Sequence, residues 1–442
     1  MNSQQLAERV LDLVKDQAEA EVLASSGVSS LTRFANSSIH QNVGEYVDSV
    51  GLKVAIDSRI AMARTTRTSP ESLATFVEET LATAMREPVD EDWPGLTAPV
   101  AVDGPEHYDQ ATADASPVAR AELVKAFVDE GEGLLGAGYC ETEDGTHTFM
   151  NSAGHRLTGR ETSAAIDGIH QTGSSAGSGH AFSVAVGDLD AAAVGALAAK
   201  RARDSEKTFD AKPDEYEVVL APEAAATIGV FLAVYGFNAK SFEEGMSFAE
   251  IGAQQFDEAF HLYDNASDER ARGIIFDSEG TPKRHIDLVE DGKTMALAHN
   301  RRTAKKAGVD STGNSFPGAE MFGPVPFNLF IEGGDKTQEE LISEVERGIY
   351  VSTFNYCRIL DPKSMVVTGL TRNGTFMIEN GEITGAVSNL RFTQSFLEAL
   401  ALGKIKGKGN DARFADSEFG AGFVHAPSMR LEGWNFTGGA EG

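Results

Sequence analysis

Val218–Phe237 reads VVLAPEAAATIGVFLAVYGF and is the most apolar stretch of the chain. Glu223 is its one side chain charged at neutral pH. The run predicts a strand, a turn at Pro222, and a helix reaching about Gly236. Proline suits a first helical turn, where its missing N–H would be unpaired anyway. A helix apolar on all sides belongs inside a core. It is too interrupted, at Pro222 and Glu223, to be read as a membrane span. The stretch holds no His and no Cys.

Outward from this helix the chain alternates sheets and helices. Leu6, Val10, Leu11 and Val14 fall at helical spacing. Three strands are expected over 31–42, 46–56 and 59–66, with a hairpin turn at Asp57-Ser58. Ser69-Pro70-Glu71 and Ser116-Pro117 each pair a capping hydroxyl with a first-turn proline, so helices should start there. Strands should fill Gly138–Val186, turning at Asp144-Gly145 and Asp167-Gly168. An alanine-rich helix should follow, capped by Asp188. Beyond the apolar helix we expect a polar helix over 241–256 and hairpins at Asp291-Gly292 and Asn380-Gly381. Thr337–Glu340 reads as a capping box, and a last helix is expected over 393–402. The aromatics Phe419, Phe423, Trp434 and Phe436 argue for docked strands at the end.

These elements define an α+β protein. It has N-terminal α/β sheet-and-helix units followed by a large β-rich C-terminal domain. The boundaries fall at 1–87 (α/β domain), 88–115 (linker), 116–210 (helix–sheet–helix domain) and 216–442 (β-rich domain).

With 442 residues the length suits two or three domains, at about 150 residues each. The formal net charge of −29 repels nucleic-acid phosphate and anionic lipid, so neither is an expected partner. Cys140 and Cys357 have no CxxC neighbours, which argues against a zinc knuckle or a disulfide framework. The first residues lack the apolar core of a secretory signal, and a cytoplasmic location is expected.

Motifs for chemistry are sparse. Gly173–His180, GSSAGSGH, lacks the GK[ST] ending of a phosphate loop and reads as a turn. No HExxH frame occurs, and GSSAG at Gly173–Gly177, which spells GxSxG inside that turn, is not of the hydrolase type. Arg301 and Arg302, followed by Ser311-Thr312-Gly313-Asn314, could hold a carboxylate such as a peptide C-terminus, because guanidinium groups bind carboxylates in a fork. Arg301, Arg302 and Asn314 are therefore the candidate peptide-binding residues. The competing reading pairs these arginines with nearby acids.

Four strings together resemble the TldD/PmbA family, once called modulators of DNA gyrase. They are LTRFANSSIHQNV (31–43), GTPKRHIDLVEDGKTMALAHNRRTAKKAGVDSTGN (280–314), FNLFIEGGDKTQEELISEVERGIYV (327–351) and GTFMIENGEITGAVSNLRFT (374–393). In that family the TldD branch carries HExxxH on a helix near the start of the C-terminal block, and a late cysteine supplies a further zinc ligand. Here the corresponding helix reads GVFLAVY (229–235), and ADSEFGAG (415–422) has no cysteine. Apolar side chains cannot replace imidazole or thiolate.

The resemblance therefore implies the PmbA (TldE) branch: no metal in this chain, and zinc in a TldD-type partner. The pair would form a heteromeric metalloprotease acting on unfolded peptides, with a homodimer as the alternative when that partner is missing. Two other readings stay open at this stage. One is a self-contained peptidase in which Cys357 would be the first residue to test. The other is a protein-binding scaffold.

Overall fold

The computed structural model describes residues 1–439. Its first sheet has six antiparallel strands: β1 (Glu19–Ala35), β2 (Ser38–Ile56), β3 (Arg59–Thr65), β4 (Leu135–Asn151), β5 (Arg156–Gln171) and β6 (Ala176–Ser183). Their order is β3-β2-β1-β4-β5-β6. The strands on either side of the 88–115 segment thus pair directly, β1 with β4 from Glu21↔Asn151 to Phe34↔Gly138.

Alternation decides what each face of this sheet does. In β1, Ala20, Val22 and Ala24 are buried with Leu6, Val10, Leu73 and Val77 of two helices. These are α1 (Ser3–Val14) and α2 (Pro70–Ala84). Further along the strand, Phe34 packs on Val124 and Phe127 of α4 (Pro117–Asp129) and on Val194 and Ala198 of α5 (Ala191–Asp204). A one-turn helix, α3 (Gln110–Ala113), precedes α4. The odd-numbered Glu21, Leu23 and Ser25 turn the other way and line a cavity.

The C-terminal part holds two more sheets. One contains β9 (Leu262–Asp264), β10 (Ile286–Glu290), β11 (Lys293–Thr294), β12 (Leu329–Ile331), β18 (Arg413–Ala415) and β19 (Val424–Ala426). The other contains β7 (Thr208–Phe209), β8 (Asp214–Leu220), β13 (Arg347–Asp361), β14 (Val366–Glu379), β15 (Glu382–Val387), β16 (Leu390–Ser395) and β20 (Met429–Gly439), with β17 (Ile405–Lys408) on β20.

The apolar helix, α6 (Pro222–Phe231), lies between these two sheets. It touches β12, β18 and β19 of the first and β8 and β13 of the second. All ten of its residues are buried. Its composition follows from that position, because each face of the helix meets a sheet. Full burial of a side chain such as Ile228 or Phe231 contributes about 1.5–3 kcal/mol.

Local chemistry sets the ends of several elements as expected. The Ser69 hydroxyl accepts the Ser72 N–H at 3.2 Å, and that of Ser116 accepts the Ala119 N–H at 3.2 Å. Thr337 and Glu340 form the reciprocal capping box. Asp57-Ser58, Asp291-Gly292 and Asn380-Gly381 turn as hairpins with positive φ.

Other expectations fail for identifiable reasons. Asp144-Gly145 and Asp167-Gly168 lie inside β4 and β5, not at turns. Gly168 is there because a Cβ would stand 2.6 Å from the ring of Phe127. The strand expected over 31–42 contains a hairpin at Asn36-Ser37, both left-handed. Asp190, not Asp188, caps α5, accepting the Ala193 N–H at 2.9 Å.

The helix expected over 241–256 shrinks to α7 (Ala239–Glu243). Beyond it the Ser247 hydroxyl bonds to the Gly236 carbonyl at 2.6 Å, and the Gln255 amide to the Phe248 carbonyl at 2.9 Å. Side-chain bonds of this kind compete with the helical ladder. The last expected helix, over 393–402, covers only Phe396–Ala399, because Leu390–Ser395 pairs with β14 as β16.

Candidate functional site

The odd-numbered face of the first sheet and two loops of the C-terminal part, over 272–283 and 314–328, enclose a cavity of about 750 Å³. Cross-strand register brings its sheet residues together. Glu21 faces Lys53, Leu23 faces Gly51, and Ser25 faces both Ser49 and His147. Leu23, Ile274, Phe276, Phe316 and Phe327 supply apolar wall. A cavity of this size with a mainly apolar wall and a few convergent charges is the usual form of a small-ligand site.

The acids around it are occupied by protein donors. Asp264 accepts the Asn328 N–H at 2.8 Å and the Asn314 amide at 2.9 Å. Burial nonetheless raises its pKa above the usual carboxylate range. Asp277 accepts the backbone N–H groups of Glu279, Thr281 and Ser315 at 2.9, 2.9 and 3.0 Å. Its burial, with Glu279 nearby, pushes it up to about 7. Glu161 bonds His147 at 2.6 Å. Burial opposes the Glu161 charge, but His147 outweighs that effect and brings the carboxyl down to about 2. Lys53 lies 3.6 Å from Glu21, 3.3 Å from Glu279 and 3.5 Å from Glu320.

The three residues singled out in the sequence divide. Asn314 lines the cavity, where its amide fixes Asp264. Arg301 and Arg302 instead hold the 88–115 segment. Arg301 donates to the Gly95 carbonyl at 2.7 Å and lies 3.5 Å from Glu21. Arg302 pairs with Asp90 and, at 3.4 Å, with Asp92. The segment read as a linker is therefore a strap bonded to the C-terminal part. Its Thr97 hydroxyl also bonds the Glu279 carbonyl at 2.6 Å.

Leu23, Arg272, Lys283 and Phe316 were not singled out. They come from β1 and from the two loops over 272–283 and 314–328, and only the strand alternation of 21, 23 and 25 hints at a second functional face.

The helix that opened the sequence reading ends in an unusual turn. After Phe231 the chain continues as a π-helix, Leu232–Gly236, with the Phe237 N–H bonded to the Leu232 carbonyl at 2.9 Å. Gly236 is required there, because a Cβ would lie 1.9 Å from the Phe248 ring. At the first turn of the helix Glu223 is 5% exposed and pairs with Arg413 at 2.7 Å. Burial opposes its charge, yet Arg413 and Arg201 hold the carboxyl below its ordinary value.

Residues 213–438 match the family model of the PmbA/TldA metallopeptidase C-terminal domain, which is half of the chain. The chain belongs to the PmbA/TldD family.

A metalloprotease of Methanothermobacter thermautotrophicus is 24% identical over 61% of this chain and 61% of its own length. A Haemophilus influenzae TldD homologue, also a metalloprotease, is 26% identical over 37% of this chain and 34% of its own. The matches thus span less than two thirds of either relative. Among solved structures, TldE from Thermococcus kodakarensis shares the fold, with a TM-score of 0.84 at 19% identity. That likeness covers 98% of this chain and 99% of the other.

Members of the TldD branch of the PmbA/TldD family would bring zinc ligands to this helix. The residues present do not fit a zinc ion. Gly229–Tyr235 offers aliphatic and aromatic groups where imidazoles would be needed. Among the described residues no group of three or more His, Cys, Asp or Glu side chains is arranged to hold a metal. Cys357 is 1% exposed, and burial, together with Glu418, raises its thiol pKa well above the usual value. A protonated buried thiol is a poor nucleophile. Among the described residues no helix is long and apolar enough to cross a membrane.

Proposed function

We propose that this chain is the non-zinc, TldE-type subunit of a heteromeric PmbA/TldD metallopeptidase acting on unfolded or short peptides. One observation carries the reading: the helix that follows β8, inside the family-matching region, presents packing residues where a zinc-binding member needs His and Glu. The hydrolytic zinc then belongs to a TldD-type partner bearing HExxxH. This chain's part is to complete the enclosure and offer strand edges to an extended peptide. β3 is the edge strand of the first sheet, and its Met62 and Arg64 stand at the cavity. Main-chain pairing at such an edge binds peptides with little sequence preference.

Affinity purification of this chain from its native cells tests the partnership. A co-purifying TldD-type chain with HExxxH is the expected result. Recovery of this chain alone, at protein levels where a tagged TldD-type chain is present, would refute it.

A further inference from the structure

Two cations lining the cavity, Arg272 and Lys283, have no carboxylate within 4 Å among the described residues, although the chain carries a formal net charge of −29. The guanidinium of Arg272 lies between the rings of Phe182 and Phe423, at 5.4 and 5.2 Å. Its one side-chain hydrogen bond among the described residues is a long one, 3.5 Å to the Ala421 carbonyl. Lys283 lines the same cavity. Among the described residues it neither donates a side-chain hydrogen bond nor has a carboxylate within 4 Å. Burial lowers the pKa of both, and the acids working against it, Glu161 and Glu143 on Arg272 and Asp264, Glu161 and Asp277 on Lys283, do not outweigh it. Asp264 and Asp277 on the wall accept protein N–H donors instead, and Glu161 bonds His147. A buried cation without a direct partner is costly, and an anion placed between two such cations is attracted to both.

We infer that this cavity binds a carboxylate with an apolar body, its anionic end between Arg272 and Lys283 and its apolar part against Ile274, Phe316 and Phe327. Two sources share that chemistry: the C-terminal residue of a peptide and a free aromatic or aliphatic acid. An ammonium ligand fits worse, because Asp264, Asp277 and Glu161 already accept strong hydrogen bonds. A phosphate ester fits worse too, because the wall beside the two cations is largely apolar. The site needs no metal and no second chain, so it stands whether or not the subunit reading holds.

Calorimetric titration of the full-length chain tests it with four probes. They are N-acetyl-phenylalanine, its amide, an alanine pentapeptide ending in phenylalanine, and that peptide's C-terminal amide. At least one free acid should bind, at least tenfold tighter than its amide, and more weakly as salt rises. If the peptide acid binds and the small acid does not, the ligand is a chain terminus. If both bind, the cavity accepts free acids as well.

Lys283→Gln should weaken binding at least tenfold, and Lys283→Arg should retain most of it. Should Lys283→Gln fail to fold, the acid-to-amide ratio in the unaltered protein still decides. Equal affinity for acid and amide, or no binding by any probe at millimolar concentration, overturns the inference.

Discussion

Lys53→Met is expected to destabilise the protein by about 3–5 kcal/mol, the usual cost of stranding buried charge. The ammonium of Lys53 is the common partner of Glu21 on the neighbouring strand and of Glu279 and Glu320 in the C-terminal part. Glu21 and Glu279 are 4% and 5% exposed. Burial works against the Lys53 charge, but Glu279 and Glu21 outweigh it and hold its pKa above the lysine range. Methionine keeps the apolar stem and removes the one charge that these carboxylates share.

The loss should depend on pH in a definite direction. Burial already lifts Glu21 from 4.5 to about 7 in the folded state, with Lys53 pulling the other way. A carboxyl raised on folding contributes stability that is complete below its unfolded pKa and disappears as pH rises through the folded one. Without Lys53 the folded value climbs further. The deficit of Lys53→Met should therefore be larger at pH 8 than at pH 5. Urea unfolding at both pH values checks this. A loss below about 1 kcal/mol, or one larger at pH 5, would show that the cluster does not join the two parts of the molecule.

Trp434→Ala should be comparably damaging, at about 3–5 kcal/mol. Trp434 is fully buried on β20 and stacks on Phe354 at 5.1 Å, with Phe392 and Phe396 at 5.3 and 5.8 Å. Truncation would empty the centre of the largest core, between the strands that also hold α6. Trp434→Phe should cost much less. Among the described residues the indole N–H has no hydrogen-bond partner, so its removal also relieves an unsatisfied donor. A thermal melt series should rank the parent and Phe variant close together, with the Ala variant far below. Equal losses for Phe and Ala would contradict the packing argument.

What could be read in the chain and what could not follows a physical division. Ser69-Pro70, Ser116-Pro117 and Thr337–Glu340 were legible because a cap is made by residues within one turn. Asn380-Gly381 was legible because a tight hairpin needs left-handed backbone at its corner. The apolar helix was legible because composition alone required two covered faces.

Asp144-Gly145 and Asp167-Gly168 misled because glycine serves close packing in strands as well as turns. The distance between the two depends on which strand lies opposite, and local sequence does not carry it. Arg301 and Arg302 were visible as cations, but their partners in the strap over 90–95 lie some two hundred positions away. The cavity was the least legible feature. Its two cations without a direct partner become conspicuous only when Asp264, Asp277 and Glu161 are seen to accept other donors.

The most direct test of the subunit reading is the metal content of this chain, purified without chelator and exchanged into metal-free buffer. Elemental analysis should find far less than one zinc per chain, both before and after brief incubation with one equivalent of zinc chloride. Retention of one zinc per chain through the exchange would contradict it and place a metal centre within this subunit.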